Sequence, residues 1–253
     1  MKNSQRTTLA FHRWLGLITG LQLLFWCAGG FVFSTHDIEW VRGNHGRDES
    51  AAPALPATGI AASPAEAIAT SGLVGVHEVT LTTQLGKPVY RLVGQDGSAL
   101  VDAASGEAFV IDEAQARQIA QGDRAEKPEV TQATLITGDA PTEFRGRDLP
   151  AWRVDLADAD NTHIYIDQVT GAIAARRNDA WRRFDFFWML HTMDYSGRDN
   201  FNTPWLVGFS VLGLLSVGSG WAIWLFRLVR KLGRAAACAA RCSRSSTRTT
   251  SCW

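Results

Sequence analysis

The chain carries, from Trp14 to Phe33, the 20-residue stretch WLGLITGLQLLFWCAGGFVF, which contains no charged side chain. A second uncharged stretch of 23 residues, PWLVGFSVLGLLSVGSGWAIWLF, runs from Pro204 to Phe226. At a helical rise of about 1.5 Å per residue, each stretch can cross a hydrocarbon core of about 30 Å. The sequence therefore predicts two transmembrane helices, at 14–33 and 204–226, in contact with the lipid bilayer.

The charged residues are segregated along the chain, although the net charge is zero. Residues 37–203 hold all 25 acidic side chains and only 15 of the 25 basic ones, and both termini are basic. Cytoplasmic flanks of membrane helices are enriched in Lys and Arg, so the termini at 1–13 and 227–253 are predicted to be cytoplasmic. The central region then lies in the periplasm of a bacterial inner membrane. A zero net charge gives no bulk attraction for nucleic acid, and no such partner is expected.

Both ends of the chain allow alternative interpretations. A cleaved signal peptide also begins with basic residues and an apolar run, but its apolar core is usually about 7–15 residues long. The basic tail at 227–253 lacks periodicity from Arg234 onward, and is predicted to be disordered near anionic lipid headgroups. A shifted reading frame in the gene is another origin for this tail. Cys238 and Cys242 have no second pair or nearby His, so no zinc site is predicted there.

The central region is predicted to contain two repeated units after a linker at 37–62, whose later part is rich in Ala, Pro, Ser and Gly. Unit 63–110 begins with a helix capped by Ser63 and continues with strands at 76–83, 88–93 and 99–102. Unit 111–178 repeats this order, with a helix at 112–121 and strands at 130–137, 151–156 and 162–167. The fold class predicted is an α+β membrane protein, in which two transmembrane helices flank two αβββ units.

Two pairs of aligned segments favour a duplication. KPVYRL at 87–92 aligns with LPAWRV at 149–154, and VDAASG at 101–106 aligns with IDQVTG at 166–171. In an Asp-x-x-Ser/Thr-Gly turn, Asp accepts backbone N–H groups and Gly adopts a positive φ. Such turns also arise independently in β-rich chains, but their matched order favours two copies of one unit.

The histidines are the candidates for chemistry, because the chain has no hydrolase motif and no phosphate-binding glycine loop. A helix predicted at 179–194, within an interfacial segment 179–203, places Trp181, Phe184, Trp188 and His191 on one face. An imidazole at the end of an aromatic stripe suits an axial ligand of haem. The alternative is an interfacial aromatic belt in which His191 faces headgroups.

The remaining histidines restrict the possible ligand pairs. His12 lies at the cytoplasmic edge of the first span, whereas His36 and His45 follow its other end. One helix would separate His12 from His36 by about 36 Å, so His12 and His191 cannot ligate one haem. Within one chain, a bis-histidine site would use His191 with His36 or His45, while His12 would need a symmetry mate in a homodimer. Each of these residues has an alternative role as an interfacial or solvated side chain.

The motifs described above resemble a protein family. The helix at 63, the strand PVYR at 88–91 and the turn VDAASG at 101–106 resemble a PepSY domain, followed by a more divergent second copy. FHRWLGL at 11–17 and LHTMDY at 190–195 resemble the membrane-associated branch of that family. The resemblance covers roughly residues 8–228, and the two-span chain is smaller than the four-span relatives.

The resemblance implies an inner-membrane protein that carries electrons to, or helps to reduce, a periplasmic metal–siderophore substrate. Haem b would be the cofactor, with quinol or a partner protein as the donor. An alternative is a cofactor-free membrane anchor that binds or restrains a periplasmic peptidase by strand addition. A third is a structural subunit of a metal-uptake complex, in which the pairs Gly16/Gly20 and Ser216/Gly220 pack the spans together or dock them on a larger membrane partner.

Overall fold

The structure is a computed structural model that describes residues 2–49, 55–56 and 58–246, and it divides into two compact units. The first unit comprises the described residues up to Val32 together with those from Phe187 onward, and the second is Phe33–Phe186. The helices are α1 (Lys2–Thr35), α2 (Ile38–Val41), α3 (Pro64–Ser71), α4 (Glu113–Gly122), α5 (Asp179–Thr192) and α6 (Pro204–Ser246). The strands are β1 (Glu78–Gln84), β2 (Lys87–Val93), β3 (Ser98–Asp102), β4 (Ala108–Phe109), β5 (Val130–Ile136), β6 (Ala151–Leu156), β7 (His163–Asp167) and β8 (Ile173–Arg177).

Helices α1 and α6 contain the two segments that are long and apolar enough to span a membrane, Leu9–Thr35 and Pro204–Ala236. Their positions agree with the two predicted spans. Helix α6 continues to Ser246, so the prediction of a disordered tail from Arg234 is wrong as far as that residue. The Ala-rich segment has high helix propensity, and it extends an existing helix without a new nucleation step. Residues 247–253 lie outside the described part of the chain.

The strands form two antiparallel sheets with the orders β1-β2-β3-β4 and β5-β6-β7-β8. Helix α3 packs on the first sheet and α4 on the second. Each sheet thus has four strands where three were predicted, because β4 and β8 had been missed. Strand β4 is only two residues long, and β8 reads Ile-Ala-Ala-Arg-Arg, which lacks the alternation of a strand. Pairing with β3 and β7, rather than local sequence, places both of these segments in the sheets.

The helices α3 and α4 begin at capping boxes that the local sequence indicates. Ser63 accepts the backbone N–H of Glu66, whose carboxylate accepts the backbone N–H of Ser63. Asp112 and Gln115 exchange the same two bonds at the start of α4. These reciprocal bonds satisfy helix N–H groups that have no partner within the helix.

The two sheets share one apolar core inside the second unit. Val89 and Leu100 of the first sheet cluster with Val154 and Ile164 of the second, and with the small residues of α4. The members of this buried cluster are Val89, Leu100, Ile111, Ala116, Ala120, Val154, Leu156, Ile164 and Ile166. The burial of apolar surface between the two sheets therefore provides a large part of the driving force for folding this region.

The segment after α1 is anchored on the second unit by a buried arginine. Arg124 is only 6% exposed, and its Nη1 donates to the carbonyl oxygens of Gly43 and His45, each at 2.9 Å. Asn178 Nδ2 adds a bond to the carbonyl oxygen of Trp40 at 2.9 Å. This part of the predicted linker at 37–62 consequently has a fixed structure, which begins with α2.

Candidate functional site

Within the first unit, α1 and α6 approach each other through small residues. A Cβ atom added at Gly16 would lie 3.9 Å from Ser216 Oγ, and one added at Gly220 would lie 3.2 Å from Cε1 of His12. The second distance is tighter than ordinary van der Waals contact, so only glycine leaves the imidazole its present position. Gly16, Ser216 and Gly220 therefore lie at a helix–helix contact, whereas a Cβ atom added at Gly20 would meet no atom within 4 Å.

His12 is fixed by a serine on the opposite helix. Its Nδ1 atom lies 2.7 Å from Ser219 Oγ, and that hydroxyl donates to the carbonyl oxygen of Ser216 at 2.9 Å. A hydroxyl has one hydrogen, so when that hydrogen is donated to the carbonyl oxygen of Ser216, Ser219 Oγ accepts the hydrogen bond of His12 Nδ1–H. In this tautomer the lone pair is on Nε2, which is the arrangement of imidazole that ligates metals.

An open groove of about 520 Å³ adjoins this histidine, and the side chains of Trp221 and Trp224 on its wall are exposed. Its lining residues are His12, Ser216, Val217, Gly220, Trp221 and Trp224. The two indole rings meet edge to face, with centroids 5.4 Å apart and an interplanar angle of 79°. The volume falls within the roughly 300–1,000 Å³ that is typical of small-molecule sites, and an aromatic wall beside one imidazole is suited to a planar apolar ligand.

His191 lies at the end of α5, where helix carbonyls lack partners within the helix. Trp26 Nε1 donates to the carbonyl oxygen of His191 at 3.0 Å, and Gln22 Nε2 donates to that of Leu190 at 3.2 Å. The rings of Trp26 and His191 are tilted by 46°, with centroids 6.1 Å apart. Two side chains one turn apart on α1 thus hold the end of α5. The isolated Gln22 in an apolar stretch is the sequence signal for this contact.

His12 and His191 lie at different depths of the first unit. Trp26, which contacts His191, is 14 residues after His12 on α1. At about 1.5 Å per residue this corresponds to about 21 Å along the helix axis. His12 and His191 therefore do not meet in the first unit, and which of them ligates an iron stays a prediction.

The other candidate residues already make contacts that hold their side chains. The ring of His36 is exposed, with Nδ1 3.3 Å from Thr35 Oγ1. His45 stacks on Trp40 with centroids 4.0 Å apart, and its Nε2 lies 2.8 Å from Asp160 Oδ2. His36 and His45 belong to the second unit and His191 to the first, and their pairing stays a prediction.

The indole of Trp188, the aromatic candidate on α5, is held by the turn that follows the helix. Its Nε1 donates to the carbonyl oxygen of Arg198 at 2.9 Å, and its ring meets Phe201 edge to face at 5.4 Å. Helix α5 ends at Thr192, two residues before the predicted end. Asp194 then accepts the backbone N–H groups of Asn200, Gly197 and Ser196, and these bonds hold the pKa of its carboxyl at about 2.

The strand pattern around His163 predicts a position at the surface, but the side chain lies within a polar network on the second sheet. Its Nδ1 contacts a carboxylate oxygen of Glu143, which also accepts the Tyr165 hydroxyl at 2.7 Å. The other Glu143 oxygen accepts Arg182 Nε at 3.0 Å, and Arg153 Nη2 lies 3.1 Å from His163 Nε2. A strand pattern alone could not reveal this burial, because the partners come from three separate segments.

Two groups in this network have shifted pKa values. Burial raises the pKa of Glu143, but hydrogen bonds from His163 and Tyr165, with the charges of His163 and Arg182, outweigh it and bring the pKa to about 2. Burial and the bond to Glu143 raise the pKa of Tyr165. The carboxylate is therefore ionised and the phenol protonated at neutral pH.

Comparison with known proteins connects the chain to a membrane family. The model of a family described as the PepSY-associated TM region matches residues 9–250. No curated protein and no solved structure matches the chain significantly. Among the described residues, no group of three or more His, Cys, Asp or Glu side chains is placed to hold a metal ion.

Proposed function

Because the chain belongs to the PepSY-associated transmembrane family, we propose that it is a small haem protein of the bacterial inner membrane. It would carry electrons to, or help to reduce, a metal–siderophore substrate at the periplasmic face. The family match and the two apolar helices support the membrane location. The acidic central region between two basic termini supports an orientation with both termini in the cytoplasm.

The observation that carries the proposal is the state of His12. In the tautomer that donates Nδ1–H to Ser219, Nε2 holds the lone pair that a ligand of iron needs. Gly220 leaves room for the ring, and Trp221 and Trp224 supply an apolar wall at the groove. The residues present therefore fit a b-type haem. When bound, it would supply one-electron chemistry at iron, with a potential that ligation and burial set.

The residues of the chain have separate tasks in this proposal. Ser219 orients the imidazole of His12, and the indoles of Trp221 and Trp224 would give the cofactor an apolar neighbour. A second copy of the chain in a homodimer would supply the other ligand of the iron at this depth. His191 is the second candidate ligand, and its ligation is proposed on the aromatic stripe of α5. Quinol or a partner protein would be the electron donor.

The test is the ultraviolet–visible spectrum of the full chain, purified in mild detergent from haem-replete cells, before and after dithionite. A Soret band that sharpens on reduction, with α and β bands, is expected. His12→Ala should remove it, while His77→Ala should not, because His77 is exposed on the second unit. Loss of the band only in His191→Ala would assign the ligand to His191 instead. A featureless spectrum from folded, haem-replete protein would contradict the proposal.

A peptide-binding module without a cofactor is the second candidate, and the edge of the second sheet favours it. Strand β5 pairs on one side with β6, and a cavity of about 480 Å³ runs beside it. Gln132, Thr134, Arg153 and Asp155 provide polar groups there. An extended polypeptide could add to this edge through backbone hydrogen bonds. Capture of a periplasmic peptidase by the unmodified chain, and its loss in Thr134→Glu, would support this function.

A further inference from the structure

Two arginines lie against the ring of one tryptophan on the second unit, and a third acts on one of them by its charge. The guanidinium carbon of Arg177 lies 4.3 Å from the ring centroid of Trp181, and that of Arg145 lies 5.7 Å from it. Arg147 is exposed, and its charge acts on Arg177. We refer to Arg145, Arg147, Arg177 and Trp181 as the arginine–tryptophan cluster.

The cluster has more positive than negative charge. Arg145 Nη2 pairs with Asp185 Oδ1 at 2.8 Å. Arg177 donates to the backbone carbonyl oxygens of Glu143 and Arg176, at 2.7 and 3.0 Å. Within the described part of the chain, neither Arg147 nor Arg177 forms an ion pair with a carboxylate.

The crowding of like charges affects the protonation of Arg177. Burial and the nearby charges of Arg147 and Arg145 lower the pKa of Arg177 to about 10, although the carboxylate of Glu143 opposes this. That carboxylate is already bonded to His163, Tyr165 and Arg182. Arg177 is therefore a partly buried cation without a carboxylate of its own, and an anion beside it would relieve the repulsion.

The position of the cluster indicates where that anion comes from. The ring of Phe184, on α5, lies 4.5 Å from that of Phe33, near the end of the apolar segment Leu9–Thr35. Trp181 is three residues before Phe184, about 4.5 Å along the helix axis. The headgroup layer begins where the hydrocarbon core ends and is several ångströms thick. These short separations along α5 and across the Phe33–Phe184 contact bring Trp181 within reach of the headgroup layer at the end of that apolar segment.

We propose that the arginine–tryptophan cluster binds the phosphate of an anionic phospholipid headgroup, in the leaflet at the Thr35 end of α1. Guanidinium groups bind phosphate oxygens through paired N–H donors, and indole rings favour the interfacial level of a membrane. Arg147 and Arg177 supply the cationic donors, and Trp181 holds the guanidinium of Arg177 against its face. This site depends on the membrane spans and does not depend on the haem proposal.

The test uses the full chain in mild detergent, with lipid binding counted by native mass spectrometry. The chain is titrated with phosphatidylglycerol or with phosphatidylcholine, and inorganic phosphate is added as a competitor. The variant is Arg147→Gln, because Arg147 is exposed and its loss should not impair folding. Lys87→Gln is the control, since it removes one charge from the exposed hairpin of the first sheet. The basic residues of α6 are the same in both variants, so their contribution cancels.

The wild-type chain should bind phosphatidylglycerol more tightly than phosphatidylcholine. Arg147→Gln should weaken phosphatidylglycerol binding about five- to tenfold, which is the usual effect of removing one cationic contact to an anionic headgroup. Lys87→Gln should leave it within about twofold of the wild type. Equal effects of the two substitutions, or no preference for phosphatidylglycerol, would overturn the proposal. Displacement of the lipid by millimolar inorganic phosphate would assign the site to free phosphate and overturn the lipid assignment.

Discussion

The Nδ1 atom of His12 lies 2.7 Å from the hydroxyl oxygen of Ser219, a residue 207 positions further along the chain. This contact joins the start of one apolar helix to the middle of the other, and it fixes the position of the imidazole. The His12–Ser219 hydrogen bond and the adjoining groove both belong to α1 and α6. Substitutions in these helices can therefore alter either feature and leave the second unit unchanged.

Removal of the Ser219 hydroxyl should weaken the ligand role of His12 without abolishing it. In Ser219→Ala, Nδ1–H loses its acceptor, and we expect haem affinity to fall about tenfold, as is common when a group that orients a metal-binding His is lost. Haem titration of the purified chain measures this change. Ser210→Ala is the matched control, because Ser210 is exposed on the same helix. An unchanged affinity in Ser219→Ala would show that the bond does not orient a ligand.

Added volume at Gly220 should displace the imidazole. The new Cβ of Gly220→Ala would lie 3.2 Å from His12 Cε1, so we expect a lower melting temperature and a cost of about 1 kcal/mol. Gly208→Ala should instead be neutral or stabilising, because no atom lies within 4 Å of its added Cβ and Ala favours helix. Thermal unfolding of both variants in detergent distinguishes these outcomes. The same response at both positions would mean that α1 and α6 do not pack through Gly220.

Acid should destabilise the second unit through Glu143. Its pKa is about 2 in the folded chain against an ordinary value of 4.5, so its contribution is complete above pH 4.5 and is lost as the pH falls towards 2. Partial solvent exposure reduces that contribution to roughly 1–2 kcal/mol. Glu143→Gln should be less stable by this amount at pH 7 and should lose less stability between pH 4.5 and 2.

Thermal unfolding measured across this pH range tests the role of Glu143. Glu113→Gln is the control, since Glu113 is an exposed residue of α4 that pairs with Arg117. If the two variants followed the same pH profile, Glu143 would not be the group responsible for the acid sensitivity.

Loss of the Arg124 side chain should release the segment that follows α1. Arg124→Met leaves the carbonyl oxygens of Gly43 and His45 without their donor, and we expect a loss of about 2–4 kcal/mol in stability. Hydrogen exchange should become faster in residues 43–48. Arg117→Met on the exposed side of α4 serves as the comparison. Protection that persists in 43–48 would show that other contacts anchor this segment.

The parts of the fold that were predicted correctly depend on local patterns. Uncharged runs identified both spans, and Ser63 and Asp112 marked the starts of α3 and α4 because a helix cap needs only four neighbouring residues. Strands β4 and β8 were missed because their neighbours in the sheets, rather than their own residues, make them strands. Helix α6 extends beyond the predicted end of the span, because Ala residues favour helix both inside and outside a membrane.

The candidate site could be predicted only in part, namely where a residue is marked by a local sequence pattern. His12 could be selected from its position at the start of a span, and Gly220 from its spacing to Ser216. Ser219 could not be identified as a site residue, because nothing in the sequence around it distinguishes it from the other serines of the apolar helix. The strand pattern predicted a surface position for His163, because its partners Glu143 and Arg182 come from other segments. The periodicity of one strand gives no information about such partners.

The common core of the two sheets constrains how this region can change in evolution. A deletion that removed either sheet would expose the apolar face of the other, including Val154 and Ile164 or Val89 and Leu100, to water. Whatever history produced the two sheets, neither can now be lost separately. New sequence is better accommodated at the exposed β1–β2 turn, residues 85–86, where an insertion would leave the buried cluster intact.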